Sequence, residues 1–386
     1  VEVRLLSLAI SISFFKVKDG GIQTSREVID NLLRGGKAER VGLYDRPWDD
    51  TIKKWVDEGD YPTNEDGGPV DTAVHFGFDM VGAAGWFDHL PIRGFSQVEE
   101  ETDQWEIKRN GAGAALKFWK HKSGTPEHID FRMTSREVWE KDYRHHLLEP
   151  DRKRIDVDGA KKAFAQRREQ QKWAFYGHMF IMETMRQSIG DVCLCESVLL
   201  APEWILDYGR VYTDFFKAHY KLLFDQSGLP DGIWVYEDIA YKNGLFVSPK
   251  ILRELFFPYY KELVGFFHSY DLPVVLHSCG NITEALDLIV EAGFDGLNPL
   301  EAKAGCEPIR IAEKYGDKLA FVGGLDERVL ESGDKQLIKK AVTELVEGMK
   351  KIGARYIFGS DHSVSTNVTY ESYRYAIEVY REHMIY

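Results

Sequence analysis

Apolar residues in the second half of this chain recur in short, β-branched runs of the kind buried on both faces of a sheet, each ending in polar residues and leading into a helix-spaced apolar stripe. Residues 232–235, 272–276, 294–297, 319–322 and 356–358 are such runs. Helical spacing follows from about 248, then over 282–292, 308–315, 335–352 and 370–383. Strand-then-helix units in succession imply parallel strands, because each crossover helix returns the chain to the same edge. This pattern leaves an open doubly wound sheet or a closed (β/α)8 barrel. No Gly-x-Gly-x-x-Gly turn follows a strand, so the dinucleotide-binding version loses its best support.

The first half is less periodic. Residues 25–33 predict a capped helix ended by Gly35 and Gly36, and 40–44 a first strand. Further strands are expected at 128–133 and 173–182, and charged helices at 136–149 and 160–172. Between 45 and about 120 the sequence reads as long loops, whose Trp48, Trp55, Trp86, Trp105 and Trp119 are expected to pack over a core. His178, inside an apolar run, reads as a satisfied core histidine, and Cys193 and Cys195 as packing thiols. Residues 1–15 are apolar but too short to span a bilayer and lack a clean small-residue cleavage site, so 1–24 are expected to form an extension or an extra strand.

Charge and cysteine content narrow the field. A net charge of −13 argues against a nucleic-acid partner, which requires a basic face. No stretch predicts a membrane span. Cys193, Cys195, Cys279 and Cys306 are too few and too scattered for a disulfide framework, which fits a reducing cytoplasm.

In a barrel, the polar residues just past each strand gather at one mouth. Glu237, Asp238, His277, Cys279, Glu301, Asp326, Ser360, Asp361 and His362 form such a set. Within it, His277 and Cys279 are separated by one residue on extended backbone, so their side chains point the same way. An imidazole and a thiol aimed together are soft ligands suited to zinc.

Three segments resemble the uroporphyrinogen decarboxylase superfamily: 25–41 (Ser-Arg-Glu-Val-Ile-Asp-Asn-Leu-Leu-Arg-Gly-Gly-Lys-Ala-Glu-Arg-Val), 276–281 (Leu-His-Ser-Cys-Gly-Asn) and 321–326 (Phe-Val-Gly-Gly-Leu-Asp). That resemblance implies an α/β fold, a (β/α)8 TIM barrel over 25–386 with an N-terminal extension at 1–24 and long loops in the first half. It also implies one of two chemistries. The decarboxylases hold a polycarboxylate with an arginine-rich motif after the first strand and use no metal. Here that place reads Leu43-Tyr-Asp-Arg-Pro-Trp-Asp-Asp, with one arginine among three aspartates, which would repel such a substrate.

The other branch, zinc- and cobalamin-dependent methyltransferases, carries His-x-Cys and a distant cysteine near the last strand. His277 and Cys279 match its first part, but the distant position reads Ser360-Asp361-His362. The resemblance therefore predicts Asp361 as the third zinc ligand, with His362 beside it. Glu301 is a candidate fourth or displaceable ligand. Glu237, Asp238 and Glu301 are the candidate catalytic carboxylates, and Asp326 and His362 the candidate cofactor contacts. The implied activity is a zinc-dependent methyltransferase or demethylase, passing a methyl group between a small methylated or methoxylated substrate and a corrinoid (cobalamin) on a partner protein. A homodimer is among the expected assemblies. The alternatives are a decarboxylase-like carboxy-lyase and a non-catalytic barrel that binds corrinoid or substrate.

Overall fold

The computed structural model describes residues 23–121 and 124–386, so the extension expected at 1–24 lies almost wholly outside the described residues. Eight strands form one curled parallel sheet: β1 (Gly42–Leu43), β2 (Met80–Ala84), β7 (Trp173–Met179), β8 (Gly232–Tyr236), β11 (Val274–His277), β12 (Gly296–Asn298), β13 (Ala320–Val322) and β14 (Tyr356–Phe358). Their order, β1-β14-β13-β12-β11-β8-β7-β2, is the cyclic order of a (β/α)8 barrel with the ladder open at one seam, between β1 and β2. Asp79 and Arg40 bridge that seam. Asp79 donates its N–H to Leu43 O at 2.7 Å, while its carboxylate accepts from Leu43 N at 2.8 Å and is clamped by Arg40 at 2.7 Å.

Side-chain alternation sorts the strands into two cores. Met80, Trp173, Phe175, Trp234, Val275, Ala320, Val322 and Ile357 fill the barrel interior, whereas Val81, Ala174, Ile233, Val235, Leu276, Leu297 and Phe321 face the helices. The helix Ser25–Arg34 closes the N-terminal end of the barrel by placing Val28, Ile29, Leu32 and Leu33 in the interior cluster. Glycines in the strands make room for it: a Cβ on Gly42 would lie 2.7 Å from Ile29 Cδ1, and one on Gly296 3.0 Å from Leu33 Cδ2. Thr24, not Ser25, caps this helix, exchanging hydrogen bonds with Glu27 in a capping box, and Gly35 ends it at φ 73°.

The segment 45–120 departs from the expected loops. It holds helices Asp49–Asp57 and Thr72–Phe76, and the start of an antiparallel sheet built of β3 (Ser96–Glu101), β4 (Trp105–Asn110), β5 (Ala114–Trp119) and β6 (Glu127–Phe131). Every residue of β3 is exposed, so no apolar alternation marks it. Part of this sheet's face is a stack in which Lys117 Nζ sits 4.6 Å from the rings of both Trp105 and Trp119. Trp55 is a core residue as expected, but Trp86 is 54% exposed. The helix Pro202–Ser227 packs Phe216 and Tyr220 against His178 of β7 and Tyr208 and Tyr212 against Trp139, and helix Asp191–Leu200 carries Cys193 half-buried and Cys195 exposed, so only the first thiol packs. No helix among the described residues is long and apolar enough to cross a membrane.

Candidate metal centre

The C-terminal ends of β8 and β11 lie side by side with Tyr236 opposite His277. Because alternation continues past both strands, Asp238 and Cys279, each two residues further on, also meet. Asp238 Oδ1 accepts from the Cys279 N–H at 2.8 Å, and Cys279 Sγ lies 3.4 Å from His277 Nε2. One ligand atom each from Asp238, His277 and Cys279 fall within 4.8 Å of one another, and all three residues are half-buried.

Several features prepare this cluster for a cation. Asn298, opposite His277 on β12, places its Oδ1 2.5 Å from His277 Nδ1 and donates its amide to Val322 O at 3.0 Å. The second bond orients the amide, so the first fixes the His277 proton on Nδ1 and leaves the Nε2 lone pair facing the cluster. Burial pushes the Cys279 thiol well above its ordinary value, and the nearby Asp238 and Glu301 carboxylates push the same way. Burial also lowers His277, favouring the neutral ring a metal needs. One thiol, one imidazole and one carboxylate form a donor set suited to three-ligand catalytic zinc, with a fourth position open.

Glu301 and Asp361 hold the loops behind this cluster. Glu301 accepts from Gly280 N at 2.6 Å and stands 3.8 Å from Lys303 Nζ, bracing the turn that follows Cys279. Asp361 is fully buried and is not drawn into the cluster. Its carboxylate accepts from Glu327 N and Ala302 N, each at 2.9 Å, tying the loops after β12 and β13 together, while burial raises its pKa. The carboxylate that lies with His277 and Cys279 is that of Asp238, from the neighbouring strand.

Glu237, between Tyr236 and Asp238, points out of the barrel. It accepts from Phe180 N, Met182 N and Glu183 N at 3.0, 2.6 and 3.2 Å and from the Tyr260 hydroxyl, which caps the helix Ile181–Ile189. Burial nevertheless pushes its carboxyl up to about 8. Neither its direction nor its four donors leave it free for substrate. Asp326 caps the helix Glu327–Glu331 and pairs with Arg328 at 2.6 Å, away from the cluster. His178 is fully buried with its ring nitrogens against Phe87 O and the Met179 backbone, the satisfied core histidine its sequence context predicts.

Beside the cluster, on its His277 side, lies a small cavity of about 90 Å³ lined by His277, Asn298, Trp234, Tyr236, Arg46 and His362. His362 reaches it while stacking on Trp48, with ring centroids 6.5 Å apart at 14°. Ser360 donates to Asp45 Oδ1 at 2.6 Å, and burial lifts Asp45 to about 6. Arg46 donates to the Tyr236 hydroxyl at 3.1 Å. Asn298, Tyr236 and Arg46 were not singled out as site residues from sequence. Strand-pairing register with His277 would have marked the first two.

A (β/α)8 barrel with a soft-ligand cluster at its C-terminal mouth is the class that fold and geometry define. Residues 232–383 match the family model of uroporphyrinogen decarboxylase (URO-D), the superfamily that segments 276–281 and 321–326 resemble. No curated protein sequence matches the chain. Among solved structures, a methyltransferase from Methanosarcina mazei superimposes with a TM-score of 0.68 over 93% of this chain and 98% of its own, at 15% identity, which shows a shared fold. A B12-independent methionine synthase from Shewanella sp. W3-18-1 aligns at a TM-score of 0.37 and 9% identity, over 80% of this chain and 83% of its own, too low to carry an argument.

Proposed function

We propose that the chain is a zinc-dependent methyltransferase that demethylates a small methylated or methoxylated compound, with a corrinoid on a separate cytoplasmic protein as methyl acceptor. The observation that carries this reading is the convergence of Asp238, His277 and Cys279 at the barrel mouth, with His277 held in the metal-binding tautomer by Asn298. Bound there, zinc supplies Lewis acidity that draws electron density from the substrate heteroatom and makes its methyl group a better target for a nucleophile. The chain's own residues position the reaction. Trp234 and Tyr236 wall the cavity beside the cluster, and Glu301 and Asp361 hold the loops that carry it.

The likeness to a methyltransferase fold supports the reading, and the arginine content of the mouth favours it over decarboxylation. Arg46 is the arginine that lines the cavity beside the cluster, and a porphyrinogen's many carboxylates call for several cations. Metal analysis of the purified chain and of Cys279→Ala, followed by methyl transfer to free cob(I)alamin from methoxylated donors, tests the proposal. About one zinc per wild-type chain, lost in the variant, is expected. Equal metal in both overturns it.

A further inference from the structure

We propose that Asn243 is a site of spontaneous covalent modification, cyclising onto the Gly244 nitrogen and converting to aspartate and isoaspartate, and that this step loosens the turn that carries Cys279. Lys242 and Asn243 form the tip of a hairpin between β9 (Ala240–Tyr241) and β10 (Gly244–Leu245), in which Gly244 pairs with Tyr241.

Cyclisation needs a side chain free to turn back on its own backbone, an unhindered nitrogen in the next residue and a segment that can flex to join them. Asn243 is exposed, and its side-chain amide makes no hydrogen bond among the described residues. Gly244 puts no side chain beside its nitrogen, and a Cβ built on it would meet nothing within 4 Å. Only two residue pairs make the hairpin, and ladders that short are marginal, so the tip opens without unfolding the barrel.

The sequence holds one other Asn-Gly step, Asn110–Gly111, which serves as an internal control. Each step follows a basic residue, Arg109 or Lys242, so the two are matched in an unfolded chain. In the fold, Asn110 Oδ1 accepts from Ala112 N at 2.9 Å and from Ala114 N at 3.1 Å, and Gly111 O accepts from Ile92 N at 3.0 Å. A Cβ on Gly111 would run into Ile92 O, so this step is enclosed as well as pinned. Cyclisation at Asn110 must break the two bonds to its side chain, which slows it about 30-fold or more relative to Asn243.

The chemistry balances with water as the one co-reactant. The Gly244 nitrogen bonds to Asn243 Cγ, and the side-chain nitrogen leaves as ammonia, taking the displaced proton. Water then opens the cyclic imide. Attack at Cγ gives aspartate and leaves the backbone as it was, whereas attack at the main-chain carbonyl gives isoaspartate, whose backbone runs through Cβ and Cγ and is one carbon longer.

The position of the hairpin gives that carbon its effect. Asn281 N donates to Tyr241 O at 2.9 Å, Ile239 N donates to Ser278 Oγ at 3.1 Å, and a Cβ on Gly280 would lie 2.7 Å from the Tyr241 backbone. The segment thus grips the chain on both sides of Cys279. A longer tip shifts Gly244 against Tyr241 and frees the Asn281 amide. Neither step involves a metal, so the inference is separate from the methyltransferase reading.

Ageing the full chain in mildly alkaline buffer, followed by peptide mapping with mass spectrometry, tests the site. Asn243 should convert about 30-fold or more faster than Asn110 in folded protein, and equally fast in urea. Asn243→Gln, whose ring would be one atom larger, should stay unmodified at that position. Equal conversion at both steps in the folded chain, or a folded-state Asn243 that stays intact yet converts in urea, overturns the site. Amide hydrogen exchange reads the consequence: Asn281 should exchange about fivefold or more faster in aged protein than in fresh protein. Fresh Asn243→Asp, which has the new charge without the extra carbon, should match fresh wild type. Asn281 protection that survives ageing, or that is lost equally in fresh Asn243→Asp, overturns the coupling to the Cys279 turn.

Discussion

Replacing Asn298 with alanine would cut the bond that orients His277 without touching any of the three ligand residues. Asn298 is 7% exposed, its Oδ1 lies 2.5 Å from His277 Nδ1, and its amide is tied to Val322 O at 3.0 Å. With the side chain gone, the imidazole can rotate and take either tautomer, so the Nε2 lone pair is no longer presented to Cys279 and Asp238. Partners of this kind are worth about 10–100-fold in metal affinity, or about 1.4–2.7 kcal/mol. The orphaned Val322 carbonyl and the lost packing add a folding cost of about 1–3 kcal/mol. Competition against a chromophoric zinc chelator measures the first quantity, and a thermal melt of chelator-treated protein the second. Asn298→Asp separates them, because its carboxylate still accepts from Nδ1 but cannot donate to Val322 O. It should keep zinc affinity near wild type while losing stability. Wild-type zinc affinity in Asn298→Ala refutes the assigned orienting role.

Asp238→Asn keeps the hydrogen bond to Cys279 N but removes the ligand charge, and should lose zinc in metal analysis. Asp361→Asn should retain full metal and instead lower the melting free energy by about 1–3 kcal/mol, since its two oxygens serve backbone donors at 2.9 Å. Zinc affinity should fall about tenfold per pH unit on acidification, because the Cys279 thiol is held above its ordinary value by burial and must release its proton on binding. A titration that is flat between pH 6 and 8 contradicts that. His89 and His178 are both lowered by burial, His89 to about 4 and His178 well below its ordinary value. At His89 the unfolded chain binds a proton that the folded one does not, which removes about 3 kcal/mol between pH 6.5 and 4, while Glu237 and Asp45, raised by burial to about 8 and about 6, act in the opposite sense, so the His89 share is read as the difference between wild type and His89→Gln. Urea unfolding at stepped pH checks it.

The parallel half of the barrel was legible because its strands are buried on both faces and carry uninterrupted apolar runs. The predicted 356–358, 308–315 and 370–383 coincide with the observed Tyr356–Phe358, Pro308–Tyr315 and Tyr370–His383. Of the sheet of β3 to β6 only β6, expected at 128–133, was legible, since Ser96–Glu101 is wholly exposed and the strands are joined by ion pairs such as Arg109 with Glu99 and Asp130. Cross-strand charge pairing leaves no periodicity of two in hydrophobicity to read. The surroundings of Asp361 were not legible for a different reason. A buried carboxylate after a strand is equally suited to a cation and to backbone N–H groups, and only the positions of the Ala302 and Glu327 amides decide between them.

The carboxylate beside His277 and Cys279 was recoverable from the rule that joined those two residues. Applied to the end of β8, alternation separates Tyr236 and Asp238 from Glu237 and sends Glu237 into the helix layer, where it caps Ile181–Ile189. Parallel pairing of β8 with β11 then puts Asp238 level with Cys279. This has a consequence for the chemistry. Asp238, His277 and Cys279 stand at the ends of two adjacent strands, so a cation they held would lie against one wall of the mouth. Between that wall and the loops after β1 and β14 lies the cavity that Arg46 and His362 line. On the methyltransferase reading, a substrate would reach the cluster past His362 and Arg46, and His362 would bear on access rather than on coordination.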